Sequence, residues 1–362
     1  MKVQEIIDKY KEVVVQLATP YNTGTGFFLS AYNMIVTNEH VVRKNKKVVV
    51  DGALFEKQIV EVLYVDPRND LAFLSAPKNH TMPSVSLCEK LKLNEGDSII
   101  AAGHPFGLKF TATSGILSNL NHLQKNIKYF QHDAALNPGN SGGPLVDDQG
   151  EIVGVNTFII KDGNNLGFSL PAYTLNQTLA DFKIGNSKGV RCNSCSNIVF
   201  ENKVEEGYCP ECGAKILVIS DLEEYEAVGI NKTIEELIIA LGHDIDLCRK
   251  GPCNWQIIEG SADISISYYE KTGLIVGDAY LCRLPKNKIK PLYTYLLQQN
   301  YALKGLTFSV KDQRIILSLL IYDQYFDKNT AKGYFEELFK SADHFDNLLI
   351  QEFGALAKSD DK

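Results

Sequence analysis

Nowhere in the 362 residues is there an apolar run of about 18, the length a helix needs to cross a bilayer. No membrane partner is expected. A surplus of positive charge is missing too: 37 Lys and Arg stand against 44 Asp and Glu, for a net charge of -7. The chain therefore offers nucleic acid or an anionic surface no global attraction, and nucleic acid is not an expected partner. The start, MKVQEIIDKYKEVVVQL, lacks the apolar core and small-residue cleavage site of a signal peptide, and alternates charged with apolar residues as an amphipathic helix does. A cytoplasmic location follows as an expectation. What is present is enough apolar material, 44% hydrophobic and 10% aromatic, to bury two cores, and the length exceeds one ordinary domain.

Four of the eight cysteines, Cys192, Cys195, Cys209 and Cys212, form two CxxC pairs separated by 13 residues. Without a signal peptide such pairs read as a thiolate cage for a structural zinc rather than as disulfides. The Gly-Tyr before the second pair, the Pro inside it and the Gly after it suit knuckle turns, and the segment resembles a zinc ribbon. Neither pair opens a helix after a strand, which argues against a redox motif. Cys88, Cys248, Cys253 and Cys282 have no such spacing and read as reduced thiols. The stretch FKIGNSKGV before the ribbon reads as a linker, and a helical pattern begins after it. Three parts are expected: 1–184, 188–216 and 220–362.

The first part is strand-rich. KVVVDG, KQIVEVLYVD, DSIIAAGHP, TATSGILSNL and GEIVGVNTFII are β-branched runs ending in turn signals, without strand-helix alternation. In GNSGGPL, Ser141 is surrounded by glycines. Gly139 and Gly143 satisfy the GxSxG pattern of a strand-turn-helix elbow, but the all-β background does not supply that elbow. Upstream, MIVTNEHVV carries His40 and DPRNDLAFL carries Asp70. Together they supply what nucleophilic acyl transfer needs: His40 to take the Ser141 proton, Asp70 to fix the imidazole tautomer, and backbone N–H groups of Gly139 and Ser141 as an oxyanion hole. His104 and His132 read as structural or substrate-flanking, and Asp133 as a loop-fixing carboxylate.

GTGFFLS, IVTNEHVV, DPRNDLAFL, GHPFGL, SGILSNL, QHDAALNPGNSGGPLVDDQGEIVGVNT and LGFSLP are similar, in order, to the blocks of HtrA/Deg-type trypsin-like serine peptidases. The resemblance covers about 1–175. It implies an all-β chymotrypsin-like double β-barrel and endopeptidase activity needing no cofactor. It places His40, Asp70 and Ser141 on the family's triad positions and Gly139, Asn140 and Ser141 on its oxyanion loop. No PDZ domain follows the barrel and the family's usual export signal is missing, so PDZ-linked regulation does not carry over. In this fold the residues before the nucleophile line the substrate pocket, here Ala135, Leu136 and Asn137. Ala135, six before Ser141, stands where a carboxylate would select Arg or Lys, so small or medium apolar side chains are expected. The edge at Asn156, Thr157 and Phe158 is expected to take extended polypeptide by strand addition.

Residues 220–362 alternate as α-βββ-α-ββ-α and are similar to YbjN-like and type III secretion chaperone-like domains. This resemblance implies an α+β domain that binds a protein partner or self-associates. Tyr293, Tyr295 and Tyr301 read as core or dimer surface. Two other readings stay open: a catalytically silent barrel acting as an adaptor, and a peptidase held latent until a partner orders its oxyanion loop.

Overall fold

Two closed six-stranded antiparallel barrels fill the first half of the chain. In the computed structural model, residues 1–88, 93–105, 110–160, 166–183, 185, 187–259 and 262–357 are described. Phe106, Gly107 and Leu108 of the GHPFGL block and the expected domain limit at Ile184 lie outside them. The chain divides into two compact units, 1–225 and 226–362.

Helix α1 (Val3–Val13) opens the first unit and stops where the run Val13, Val14, Val15 turns into strand β1 (Val14–Ala18), buried at all five positions. The amphipathic pattern is thus shorter than the sequence suggests. Three consecutive β-branched residues fit a pleated, fully buried strand better than a fourth helical turn. Strands β2 (Thr23–Leu29) and β3 (Met34–Thr37), the one-turn helix α2 (Glu39–Val42), and strands β4 (Lys47–Gly52), β5 (Phe55–Asp66) and β6 (Leu71–Ser75) follow. They are ordered β5-β4-β1-β2-β3-β6, and β5–β6 pairing closes the ring. The second barrel comprises β7 (Ser98–Gly103), β8 (Thr111–Gln124), β9 (Ile127–His132), β10 (Pro144–Asp147), β11 (Ile152–Ile160) and β12 (Leu166–Pro171), ordered β10-β11-β12-β9-β8-β7. Helix α3 (Ala172–Lys183) lies against β11 and β12.

The ribbon segment is not set apart as its composition suggests. Strand β13 (Gly189–Arg191) pairs in parallel with β5, Gly189 opposite Tyr64 and Val190 opposite Val65, and β14 (Ile198–Phe200) extends the sheet. Val190, Cys192, Val199, Phe200, Cys209 and Ile216 are buried in the cluster that also holds Phe27, Tyr64 and Phe73 of the first barrel. Apolar side chains beside the cysteines, invisible to a spacing argument, join the two.

The second unit holds α4 (Gly229–Ala240), α5 (Ile245–Cys248), β15 (Arg249–Gly251), β16 (Asn254–Glu259), β17 (Ala262–Tyr269), β18 (Leu274–Arg283), α6 (Ile289–Ala302), β19 (Leu306–Lys311), β20 (Arg314–Tyr322) and α7 (Lys328–Phe353). Its antiparallel sheet, ordered β15-β16-β17-β18-β20-β19, has α7 across β17, β18 and β20. Ile264, Ile266, Ile275, Leu317 and Leu319 face inward there, whereas Ile258, Tyr269, Leu320 and Tyr322 on the opposite face are exposed. Tyr301 is 96% exposed while Tyr295 packs against Phe353, so the tyrosine stripe is not one surface. Among the described residues no helix is long and apolar enough to cross a membrane.

Candidate active site and cysteine cage

Strand β3 ends at buried Thr37, and α2 begins two residues later, which puts His40 half-exposed at the rim of the first barrel. The β5–β6 turn brings Asp70 to it. Asp70 adopts φ +53°, a left-handed conformation that costs a non-glycine residue about 1 kcal/mol or more. Three hydrogen bonds hold it there. Its Oδ1 accepts from the His40 backbone N–H at 2.9 Å, its Oδ2 faces His40 Nδ1 at 2.7 Å, and its carbonyl accepts from Asn38 Nδ2 at 2.7 Å. A carboxylate at Nδ1 selects the tautomer protonated there and leaves the Nε2 lone pair for a substrate-side proton.

The Ser141 turn is built from left-handed glycines, Gly139 at φ +103° and Gly142 at φ +86°. At Gly142 the conformation is enforced by crowding as well, since a Cβ would lie 2.2 Å from the Thr25 carbonyl and 2.3 Å from Thr37 Oγ1. Thr25 Oγ1 donates to the Gly139 carbonyl at 2.6 Å and accepts from the His104 N–H at 2.8 Å. The Thr25 N–H donates to the Ser141 carbonyl at 2.9 Å, and Thr37 Oγ1 donates to the Thr25 carbonyl at 2.7 Å. A strand of the first barrel thereby grips a turn of the second, with Gly24 wedged between Val41, beside His40, and the Ser141 carbonyl. Ser141 Oγ donates to the Thr157 carbonyl at 3.2 Å. The structure thus brings His40 and Asp70 into contact and directs the Ser141 hydroxyl at a backbone carbonyl. Sequence reasoning singled out none of Thr25, Thr37 and Asn38. Hydroxyl and amide residues at strand ends next to glycines, as in GTG and VTN, are the signal that could have found them.

The residues expected to bind substrate occupy different environments. Leu136 is half-buried against the second-barrel core and Asn137 is exposed, while the Ala135 carbonyl accepts from Thr113 Oγ1 at 2.8 Å. Asn156 departs from the expectation of a substrate contact. It is fully buried, its Nδ2 donates to the Pro144 carbonyl at 3.0 Å and its Oδ1 accepts from Ser169 Oγ at 2.9 Å. Its main chain is used as well: the N–H donates to the Gly143 carbonyl and the carbonyl accepts from the Gly142 N–H, both at 2.8 Å. Asn156 therefore supports the Ser141 turn from below, a role that needs the two barrel strands brought together. Buried Thr157 turns its hydroxyl to the Val155 carbonyl, and half-buried Phe158 stacks on Phe168 at 4.9 Å. Asn140 has its side chain buried beside Gly103, and Asp133 Oδ1 accepts from the Ile116 N–H at 2.7 Å.

His132 continues this buried network, its Nε2 at 3.0 Å from Ser169 Oγ. Burial lowers its pKa to about 4, against an opposing pull from Asp133. The unfolded chain therefore binds the proton first as pH falls, so the stability tied to neutral His132 is present above about pH 6.5 and is lost as pH falls through about 4. The loss is on the order of 3 kcal/mol. Urea midpoints between pH 6.5 and 4.5 are expected to fall less steeply for His132→Gln than for the unaltered chain. Equal slopes would show that another group carries the acid sensitivity.

The two CxxC pairs form matching knuckles. Cys192 N–H donates to the Asn197 carbonyl at 2.9 Å and Cys209 N–H to the Ala214 carbonyl at 2.8 Å. The residues after the second cysteine of each pair, Ser196 and Gly213, both take positive φ, at +65° and +70°. All four Sγ atoms lie within 4.8 Å of one another, with Cys192–Cys212 at 3.7 Å and Cys195–Cys209 at 3.8 Å. Tetrahedral coordination with Zn–S bonds of about 2.3 Å separates sulfurs by about 3.8 Å, so the donor set fits such an ion. The backbone N–H of Cys195, then that of Ser194, bring the Cys192 thiol down to about 7, toward the thiolate a metal requires.

Residues 24–155 match the family model described as trypsin-like peptidase domain. The DegP-like periplasmic serine endoprotease of Chlamydia pneumoniae is 39% identical over 163 residues, 43% of this chain and 33% of that protein. The mitochondrial serine protease HTRA2 of Bos taurus is 37% identical over 167 residues, 44% of this chain and 36% of that protein. The chain thus spans about a third of the length of these relatives. The solved serine endoprotease from Yersinia pestis is 26% identical with a TM-score of 0.46, covering 52% of this chain and 69% of that one. Residues 24–155 of the first unit are thus similar to trypsin-like peptidase domains, those of HtrA-type proteases among them.

Proposed function

We propose that this chain is a serine endopeptidase that hydrolyses extended or unfolded polypeptide, with His40, Asp70 and Ser141 as its catalytic residues. The observation that carries the reading is the Asp70–His40 Nδ1 contact of 2.7 Å beside a Ser141 turn clamped by Thr25. In this mechanism the Ser141 hydroxyl leaves the Thr157 carbonyl and donates to His40 Nε2. The imidazole then takes that proton as Oγ attacks the scissile carbonyl, and returns it to the leaving amine. The N–H groups of Gly139 and Ser141 meet the developing oxyanion, and water completes deacylation by the same route in reverse. Ala135, Leu136 and Asn137, with Ala135 where a carboxylate would select Arg or Lys, favour small or medium apolar side chains before the cut. Presence of all three catalytic groups weighs against a silent adaptor.

Zinc in the Cys192, Cys195, Cys209 and Cys212 cage belongs to the same proposal as a structural ion that supplies folding energy, making the segment a zinc ribbon. Thiolate spacing of this kind suits a reducing compartment, which supports a cytoplasmic location. The exposed side chains of Ile258, Tyr269, Leu320 and Tyr322 support a YbjN-like or secretion chaperone-like role for 226–362 in protein binding or self-association.

Mass spectrometry of the full chain after fluorophosphonate treatment tests the reading. One adduct per chain on Ser141, absent from Ser141→Ala, with cleavage of unfolded casein, is the expected result. A folded chain that neither labels nor cleaves would remove the proposal in favour of a silent or partner-switched barrel.

A further inference from the structure

The buried carboxylate of Asp66 has no part in the chemistry above, yet it organises the turn that presents Asp70. Its Oδ1 accepts the backbone N–H of Arg68 at 3.1 Å and of Asn69 at 2.9 Å, and its Oδ2 accepts from Asn69 Nδ2 at 2.9 Å and Tyr64 Oη at 3.2 Å. The remaining partner comes from 125 residues away: Arg191 Nε reaches Oδ2 at 2.5 Å, with the Arg191 side chain only 11% exposed. Arg191 ends strand β13, which runs parallel to β5 with Val190 opposite Val65, so the pairing register delivers the guanidinium to the next residue, Asp66. The same guanidinium is held at its other end. Nη1 donates to the Ser196 carbonyl at 2.7 Å and Nη2 to Thr178 Oγ1 at 3.4 Å, while Arg68 Nη1 donates to Ser196 Oγ. Ser196 is the left-handed residue that closes the first cysteine knuckle.

We propose that Arg191 is a positioning residue of the peptidase site. It neutralises Asp66 and locks the 66–70 turn, and through that turn it sets the Asp70 carboxylate against His40. The inference deepens the peptidase reading and rests on it. Asp70 is held in a left-handed conformation and depends on its neighbours to stay there. A fully buried Asp66 without its cation is an uncompensated charge that would draw in water and loosen its hold on the N–H groups of Arg68 and Asn69. The turn could then relax and withdraw Asp70 from Nδ1. Misplacement by about 1 Å costs on the order of 100-fold in rate. The knuckle, which bears none of the reacting groups, thereby becomes part of the frame of the active site.

The test compares the unaltered full chain with Arg191→Gln and Arg191→Lys, measuring kcat and KM on a short apolar peptide and the downfield proton resonance of His40 Nδ1–H. Arg191→Gln is expected to lower kcat by about 10- to 100-fold with KM within about threefold, and to weaken or shift that resonance. Arg191→Lys, which keeps the charge but not the fork to Ser196, is expected to recover part of the loss. If Arg191→Gln does not fold, Asp66→Asn/Arg191→Gln removes both charges together and is expected to show the same kcat loss. A folded variant with wild-type kcat and an unchanged resonance overturns the inference and leaves the peptidase reading standing. An unaltered chain that neither turns over peptide nor labels at Ser141 overturns both.

Discussion

Asp70→Asn is expected to cut kcat by about 10⁴ with little change in KM, as loss of the orienting carboxylate does in Ser-His-Asp triads. The reason is specific to the local hydrogen bonds. The backbone N–H of His40 donates to Asp70 Oδ1, so an asparagine here must keep its carbonyl oxygen on that side. Its NH₂ group then faces His40 Nδ1 in place of Oδ2. A donor at that point forces Nδ1 to accept, which moves the ring proton to Nε2, and a protonated Nε2 cannot take the proton of Ser141. The fold is expected to survive, because the Asp70 carbonyl still meets Asn38 and Asp66 still holds the turn. Steady-state kinetics beside circular dichroism decide the matter. A loss under tenfold in a folded variant would mean that Asp70 does not orient the imidazole.

Stripping the cysteine cage is expected to be the largest stability effect. Protein prepared without chelator should hold one zinc per chain, and removing it at pH 7 should expose 188–216 to limited proteolysis. Isolated structural zinc modules gain about 10–16 kcal/mol from the metal. Here β13 is also paired to β5, and Val190, Val199, Phe200 and Ile216 are buried in the barrel cluster, so part of the segment keeps its place without the ion. An effect of about 5 kcal/mol is therefore expected, a drop in melting temperature of about 10–20 °C for a unit of this size. Re-addition of zinc should restore it. Because Ser196 contacts both Arg191 and Arg68, peptidase turnover should fall together with the ribbon's protection rather than after global unfolding. Zinc well below one per chain, or an unchanged melting temperature after stripping, would exclude a structural metal.

Local rules carry the cysteine cage furthest. CxxC spacing, a turn glycine and thiol chemistry are short-range, and the knuckles reproduce them with paired hydrogen bonds and positive φ at Ser196 and Gly213. Strand runs are equally legible, because alternation and β-branching act over a few residues, as β4 and β5 show. Asn156 marks the limit of this. Within a β-branched run it reads as part of an edge open to strand addition, but its carbonyl accepts the N–H of Gly142, fourteen positions away, and only barrel closure brings the two together. Thr25 is a second case: a threonine between glycines suggests a hydroxyl held close to backbone, but nothing local names its partner, Gly139, 114 residues away.

Residue type and short spacing establish the chemistry available: a histidine, an aspartate and a serine in blocks of the right order, a glycine-lined turn, and four thiols in two CxxC pairs. Those properties survive in any conformation that keeps the segments intact. Which of these groups meet depends on long-range contacts. Tertiary structure turned the Ser141 hydroxyl to the Thr157 carbonyl, removed Asn156 from the substrate surface, and placed Arg191 against Asp66, at the turn that carries Asp70. Such contacts join residues far apart in the chain, and their geometry follows from strand register and barrel closure, which depend on the packing of the whole unit rather than on any one stretch.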